Sequence, residues 1–264
     1  MNQNSRSEVT ELYIKKDTLS TRANLHDKYS SNKYGWFNWV FDQLQLKENM
    51  NVLELGCGTG RIWEEHEKLL PGNIKIVLTD LSPLMIEKTK EKFKGYDNFC
   101  FKAADIENIP FEDEKFDIVM ANHMLYHVPD IKKALSEVSR VLKKDGCFYA
   151  STVGENSRKE LEDIYSNYAD KANFSFSKDL SFTLENGEEI LRKFFGKIEQ
   201  RFYIDALEVT SADDLMNYII SYNDIPPAIY DEIYKTIKDR INKDGVFKIR
   251  KDQGMFICVR KSHL

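Results

Sequence analysis

NVLELGCGTG, from Asn51 to Gly60, decides how the chain folds. Val52, Leu53 and Leu55 read as a short buried strand. Glycines then fall at alternate positions, Gly56, Gly58 and Gly60. A residue without Cβ takes positive φ easily and lets the backbone approach a ligand, so a tight turn is expected where the strand ends. Ile62, Trp63, His66, Leu69 and Leu70 follow at helical spacing. Strand, glycine turn and helix together make a nucleotide-type pocket at the carboxyl end of a strand. The spacing speaks against two other ligands. The dinucleotide fingerprint G-x-G-x-x-G needs glycine where Arg61 stands, and the phosphate-loop pattern G-x-x-x-x-G-K-[ST] is absent.

Working outward, Ile74, Ile76, Val77 and Leu78 form a second strand that ends at Asp80, 20 residues past Gly60 (80 − 60). A carboxylate there can accept both hydroxyls of a ribose. It could also cap the next helix, but Ser82 suits that role better, with Pro83 at the first helical position. A third strand, FCFKAAD, ends at Asp105. That acid either accepts an amino group or simply opens a loop. Phe116 to Ala121 is a fourth strand, opening into Asn122, His123, Met124, Leu125, Tyr126 and His127. Asp130 is placed to cap a helix with Ile131, Ala134, Leu135, Val138, Val141 and Leu142 inward, and Gly146 to close it in the left-handed conformation. CFYAST is the fifth strand. Five strands alternating with helices over Asn51 to Thr152 imply an α/β fold, a parallel sheet with helices on both faces.

The run E-x-G-x-G-x-G from Glu54 to Gly60 resembles the first motif of class I S-adenosylmethionine-dependent methyltransferases, of the small-molecule, UbiE-like type. The strand-terminal Asp80 and Asp105, and the fourth strand with its His127-Val-Pro-Asp ending, resemble later motifs of that family. The resemblance implies a Rossmann-like, seven-stranded, mostly parallel sheet with an N-terminal helical cap and a C-terminal helical lid. The whole chain would be one methyltransferase domain: cap 1–48, cofactor-binding core 49–152, remaining strands and lid helices 153–264. It implies S-adenosyl-L-methionine as cofactor and S-adenosyl-L-homocysteine as product. The cofactor-binding candidates are Tyr29, Tyr34, Glu54, Gly56, Cys57, Gly58, Gly60, Asp80, Leu81, Asp105, Ile106 and Asn122. Asp80 would hold the ribose, Asp105 the adenine amine, and the Ile106 backbone the ring. Tyr29 and Tyr34 stand in a loop-like segment and are candidates to cover the cofactor, since aromatic faces attract a cation such as a sulfonium.

A base is needed only if the acceptor must lose a proton. His123 and Tyr126 are the acceptor-facing candidates for a catalytic role, or else pack within their turn. No metal-ligand spacing is present, so metal-free transfer is expected.

The flanks carry less information. An aromatic cluster, Tyr34, Trp36, Phe37, Trp39 and Phe41, precedes the core, with Trp36, Trp39, Val40 and Leu44 on one helical stripe. Beyond the fifth strand, helices are expected over 155–170, 182–195, 211–222 and 226–241, a sixth strand over Ile198–Val209 and a reversed seventh over Phe247–Arg260. Tyr165, Tyr168, Phe174, Phe176, Tyr218 and Tyr222 either line a lid or pack it onto the core.

The chain has 264 residues, enough for one large core, and 42% hydrophobic residues, ordinary for a globular protein. Net charge is −5 with no basic run, which argues against nucleic acid as partner. No run is apolar and long enough to span a bilayer, and no apolar signal core opens the chain. Four cysteines are scattered without a C-x-x-C pair, and three of them lie in apolar, strand-like surroundings, which suggests buried free thiols. A cytoplasmic monomer or homodimer acting on a small-molecule methyl acceptor is therefore expected. Two other classes stay open: a non-catalytic cofactor-binding module of the same fold, and a NAD-dependent oxidoreductase, against which Arg61 speaks.

Overall fold

The computed structural model describes residues 16–168, 180–222 and 225–261. Phe174 and Phe176, named above as lid or packing rings, lie outside them. Two helices, α1 (Lys16–Tyr29) and α2 (Trp36–Gln43), precede the glycine-turn strand β1 (Asn51–Leu55). Then come α3 (Arg61–Glu64), β2 (Lys75–Asp80), α4 (Pro83–Lys92), β3 (Phe99–Ala103), β4 (Phe116–Asn122), α5 (Ile131–Val141) and β5 (Leu142–Val153). The remainder is α6 (Lys159–Ser166), α7 (Gly187–Leu191), β6 (Phe195–Val209), α8 (Ala212–Ile220), α9 (Pro227–Asp244) and β7 (Phe247–Arg260).

The seven strands form one sheet in the order β3-β2-β1-β4-β5-β7-β6. The first five pair in parallel, while β7 runs antiparallel to both β5 and β6. The sheet is therefore seven-stranded and mostly parallel, with its last strand reversed. Strand order turns back between β1 and β4, which opens a crevice outside their carboxyl ends.

Both faces of the sheet are covered, because successive side chains of a strand point to opposite sides. On one face Leu53, Leu55, Val119, Ala121, Phe148, Ala150, Phe256 and Cys258 pack with the apolar stripe of α5. On the other, Val52, Ile118, Met120, Tyr149, Met255 and Ile257 pack with Val40, Ile62 and Trp63. A third cluster joins Leu25 and Tyr29 of α1 to α6, α8, α9 and the far ends of β6 and β7. Tyr165 and Tyr218 are buried in it and Tyr168 and Tyr222 pack against it, so these rings chiefly fasten the helices.

Four local expectations are corrected. The helix after the glycine turn is one turn long, followed by a short 3₁₀ segment at Glu67–Leu69, and Leu69 is exposed. His66 is why: its ring stacks on Phe41 with centroids 4.1 Å apart and its Nδ1 lies 2.6 Å from the Ile62 carbonyl oxygen. The left-handed residue after α5 is Asp145, φ 62°, and not Gly146. Gly146 has a packing reason instead, since a Cβ there would sit 2.9 Å from Leu142 Cγ. The helix expected over 182–195 shrinks to Gly187–Leu191, because the backbone before it bonds sideways: the Thr152 hydroxyl donates to the Phe182 carbonyl and Leu184 N to the Val153 carbonyl. Cysteines 57 and 258 are buried, but Cys147 is half-buried and Cys100 exposed.

Candidate active site

All three loop glycines take left-handed backbone: Gly56 φ 67°, Gly58 φ 55° and Gly60 φ 71°. Their missing side chains serve different ends. A Cβ on Gly60 would lie 2.7 Å from the Phe93 ring, and one on Gly56 3.0 Å from Met124 Cγ. A Cβ on Gly58 would meet nothing within 4 Å. Gly58 thus leaves room for a ligand to approach the backbone, while the other two make room for the protein itself.

Asp80 terminates β2 beside this loop. Its Oδ2 accepts the Gly58 amide at 2.9 Å and its Oδ1 accepts the Ser82 amide at 2.8 Å. Burial raises its pKa, and the two amide donors oppose that rise. Each carboxylate oxygen keeps a further lone pair, so the group can still accept two hydroxyls. Ser82 caps α4 and Pro83 opens it, which frees Asp80 from capping duty. Asp105 turns its Oδ1 toward the Glu107 amide at 2.9 Å, so it also shapes its own loop.

Leu55, Gly56, Asp80, Leu81, Asp105, Ile106, Asn122 and His123 line one cavity at the carboxyl ends of β1 to β4. Asn122 is fixed from behind by the Ser151 hydroxyl, which donates to its side-chain oxygen. His123 is a second special backbone position, φ 51°, held by its amide hydrogen bond to Ser151 Oγ at 3.0 Å. Its ring packs on Trp36 with centroids 4.7 Å apart. Burial first, then the positive charges of Lys251 and Arg158, push its pKa down to about 3. His123 also lines a second, larger cavity of about 620 Å³, together with Tyr34, Trp36 and Tyr126. His123 therefore lines both spaces.

Some expected residues stand elsewhere. Tyr29 is not in a loop: it ends α1, is buried in the helical cluster, and donates its hydroxyl to Asp214 Oδ2 at 2.6 Å. Tyr34 is half-exposed at the larger cavity and bonds to Asp42. Glu54 lies behind the glycine loop, 2% exposed, accepting the Trp63 indole N–H at 2.6 Å; burial lifts its pKa to about 8. Cys57 is buried, and burial pushes its thiol well above the ordinary range. Among the described residues no three His, Cys, Asp or Glu come together as a group able to hold a metal ion, and no helix is long and apolar enough to cross a membrane.

The larger cavity also gathers residues that motif reading passed over: His26, Arg158, Lys251 and Gln253. Lys251 and Gln253 did carry a signal. They fall in step with Phe247, Ile249, Met255 and Ile257, polar residues at the buried phase of a strand. Arg158 carried none: it falls in the polar stretch read as a helix over 155–170, whereas α6 begins only at Lys159.

Known proteins agree with this geometry. A methyltransferase-domain family matches residues 46–201, more than half of the chain. The chain is 31% identical over 199 residues to malonyl-[acyl-carrier protein] O-methyltransferase 1 of Ilyobacter polytropus, covering 72% of this chain and 70% of that one. It is 28% identical over 137 residues to the ubiquinone/menaquinone biosynthesis C-methyltransferase UbiE of Proteus mirabilis, covering 51% and 55%. Against most such relatives the chain spans about half of their length, as with 45% for a Legionella pneumophila malonyl-[acyl-carrier protein] O-methyltransferase. Among solved structures, the YcgJ protein of Bacillus subtilis shares the fold with a TM-score of 0.59 at 18% identity, over 86% of this chain and 98% of that one. Haemonchus contortus phosphoethanolamine N-methyltransferase 2, solved with S-adenosyl-L-methionine, does so with a TM-score of 0.56 at 18% identity, over 98% and 59%. With the glycine loop, the strand-end acids and the reversed last strand all in place, the chain belongs to the class I S-adenosylmethionine-dependent methyltransferase family.

Proposed function

We propose that the chain transfers a methyl group from S-adenosyl-L-methionine to a small-molecule acceptor by in-line displacement. One observation carries this reading. The cavity at the strand ends, lined by Gly56, Asp80, Asp105 and Ile106, and the larger cavity have His123 as a common wall, which sets a donor space and an acceptor space on either side of one residue.

The residues fit the donor. Gly58 offers open space above a left-handed turn, and Asp80 offers free lone pairs beside it. In this reading Asp80 holds the ribose hydroxyls, Asp105 and the Ile106 backbone take the adenine, and Gly56 to Gly58 face the amino-acid end. Bound there, the cofactor supplies a methyl group already activated on a sulfonium. The protein's own task is then position and exclusion of water. Trp36 closes over His123 and gives that common wall an apolar face. His123, neutral throughout the physiological range, accepts a hydrogen bond but is a weak base. It is better suited to orienting an acceptor than to stripping its proton. Tyr126 lines the same cavity and has the same orienting capacity.

Calorimetric titration tests the reading. S-adenosyl-L-homocysteine should bind and NAD should not. Asp80→Ala should weaken the former by about 1–3 kcal/mol through lost hydrogen bonds. Binding of NAD alone, or unchanged affinity in the variant, would overturn the assignment.

A further inference from the structure

The larger cavity holds donors that methyl transfer itself does not use. Lys251 and Gln253 lie two residues apart on β7, so they project from the same face. The Lys251 ammonium sits 2.5 Å from Asp205 Oδ2, and neither side chain is more than 9% exposed. Asp205 is itself anchored by the Ser30 hydroxyl at 2.7 Å and the Asn32 amide at 3.0 Å. Burial alone would raise its pKa, but these donors and Lys251 outweigh that and hold its carboxyl below the usual value. Arg158 enters from the loop after β5. Its amide donates to the Arg250 carbonyl of β7 at 3.0 Å, its φ is 64°, and its guanidinium lies 5.1 Å from the centre of the Tyr222 ring. The loop is thus stitched beside Lys251 in a backbone conformation that a long side chain seldom adopts.

Two further donors are unsatisfied. The Gln253 amide nitrogen and the Trp36 indole nitrogen are buried without a hydrogen-bond partner among the described residues, and both residues line this cavity. A buried N–H without an acceptor is costly, so such a pair marks where an oxygen-rich ligand would be welcome. The field has the same sign. His26 and His123, on different elements, are both held near 3, by burial first and then by Lys251 and Arg158. Arg61, the other guanidinium of the cavity, faces Asp27 at 3.1 Å. Arg158 stands against the aromatic ring of Tyr222 and hydrogen-bonds to the Tyr218 hydroxyl. A guanidinium presents a planar fork of N–H groups matched to carboxylate or phosphate oxygens, and a cavity of about 620 Å³ is of the size that takes small molecules.

Resting on the methyl-transfer reading, we infer that the acceptor carries an anionic group, a carboxylate or a phosphate monoester, that docks against Arg158 with Lys251 and the Gln253 amide beside it. Arg158 is then a substrate-anchoring residue, distinct from the groups that hold the donor.

The test uses the full chain loaded with S-adenosyl-L-homocysteine and titrated with benzoate, phenyl phosphate and neutral benzamide. At least one anion should bind about tenfold or more tighter than benzamide, as expected for a charge-assisted bidentate pair. Which anion wins identifies the source. Arg158→Gln should abolish that preference and Arg158→Lys restore part of it, with cofactor affinity unchanged in both. If Arg158→Gln fails to fold, the wild-type preference and its reduction in Gln253→Met carry the test. Benzamide binding as well as both anions overturns the inference, as does a preference that survives Arg158→Gln. An equal loss of cofactor affinity in that variant also overturns it, by moving Arg158 to the donor. Absence of cofactor binding in the wild type is a different result, and it removes the methyl-transfer reading beneath.

Discussion

The rim at the strand ends and the helix-walled cavity beyond it are built by opposite means. The rim is made of backbone: a turn of three left-handed glycines and amides that face a strand-end carboxylate. The cavity is made chiefly of side chains drawn from many elements: α1, the segment after it, α2, α3, the turn after β4, the loop after β5, α8 and β7. Backbone at a strand end has one geometry, so the rim is prearranged and suits a ligand that never changes. Side chains at a cavity wall can be exchanged without disturbing the sheet, so the cavity suits a ligand that differs from one family member to another.

The sharpest way to break this contrast is at the charge pair in the cavity wall. Lys251→Met should cost about 3–5 kcal/mol of stability, because it leaves the Asp205 carboxylate buried without its ammonium. Urea unfolding measures this; a loss under 1 kcal/mol would mean that the remaining hydroxyl and amide donors, from Ser30, Ser31, Asn32 and Ala206, suffice. The next contrast lies within the rim. Gly60→Ala should lose about 2–4 kcal/mol, from left-handed strain plus the 2.7 Å approach to Phe93. Gly58→Ala should lose only about 1–2 kcal/mol of stability, since its Cβ enters open space. Its larger effect should fall on cofactor affinity. Equal stability losses in the two variants would erase the distinction between a glycine kept for folding and one kept for a ligand.

The last effect is a slope that builds up with falling pH. His26 has a folded pKa near 3 against an ordinary value of 6.5, set by burial and then by Lys251 and Arg158. Between those values the unfolded chain binds more protons than the folded one. Stability present above pH 6.5 is therefore lost as pH falls toward 3, by up to about 1.4 kcal/mol per pH unit for each such group. His26→Gln should flatten the acid limb by that amount and leave it unchanged above pH 7. Identical pH profiles for both proteins would show that His26 titrates normally.

The two regions also differ in how far they can be read from residues alone. The parallel five-strand core, the glycine turn and the strand-end Asp80 and Asp105 follow from local patterns, while the reversed last strand and the places of Leu81, Ile106 and Asn122 came with the family resemblance. Tyr29 and Glu54 were misplaced for the complementary reason. Motif position says that a residue is near the loop but not which way its side chain points, and these two found partners in Asp214 and Trp63. The cavity was nearly silent. Its members lie more than 200 residues apart along the chain, as with His26 and Lys251, and only the folding of β7 beside β5 and β6 assembles them. Gly146 shows the same limit at small scale, since a glycine kept for contact with Leu142 looks like one kept for its torsion angles.

Asp205 has a consequence for traffic through the molecule. One oxygen of its carboxylate takes both the Ser30 hydroxyl and the Lys251 ammonium, while the other takes the Asn32 amide. The segment after α1 is thereby latched to the same atom group that neutralises a cation inside the cavity. A guest that drew Lys251 toward itself would leave the Asp205 carboxylate more strongly held by the Ser30 and Asn32 donors, so occupation of the cavity and anchoring of that segment would favour one another.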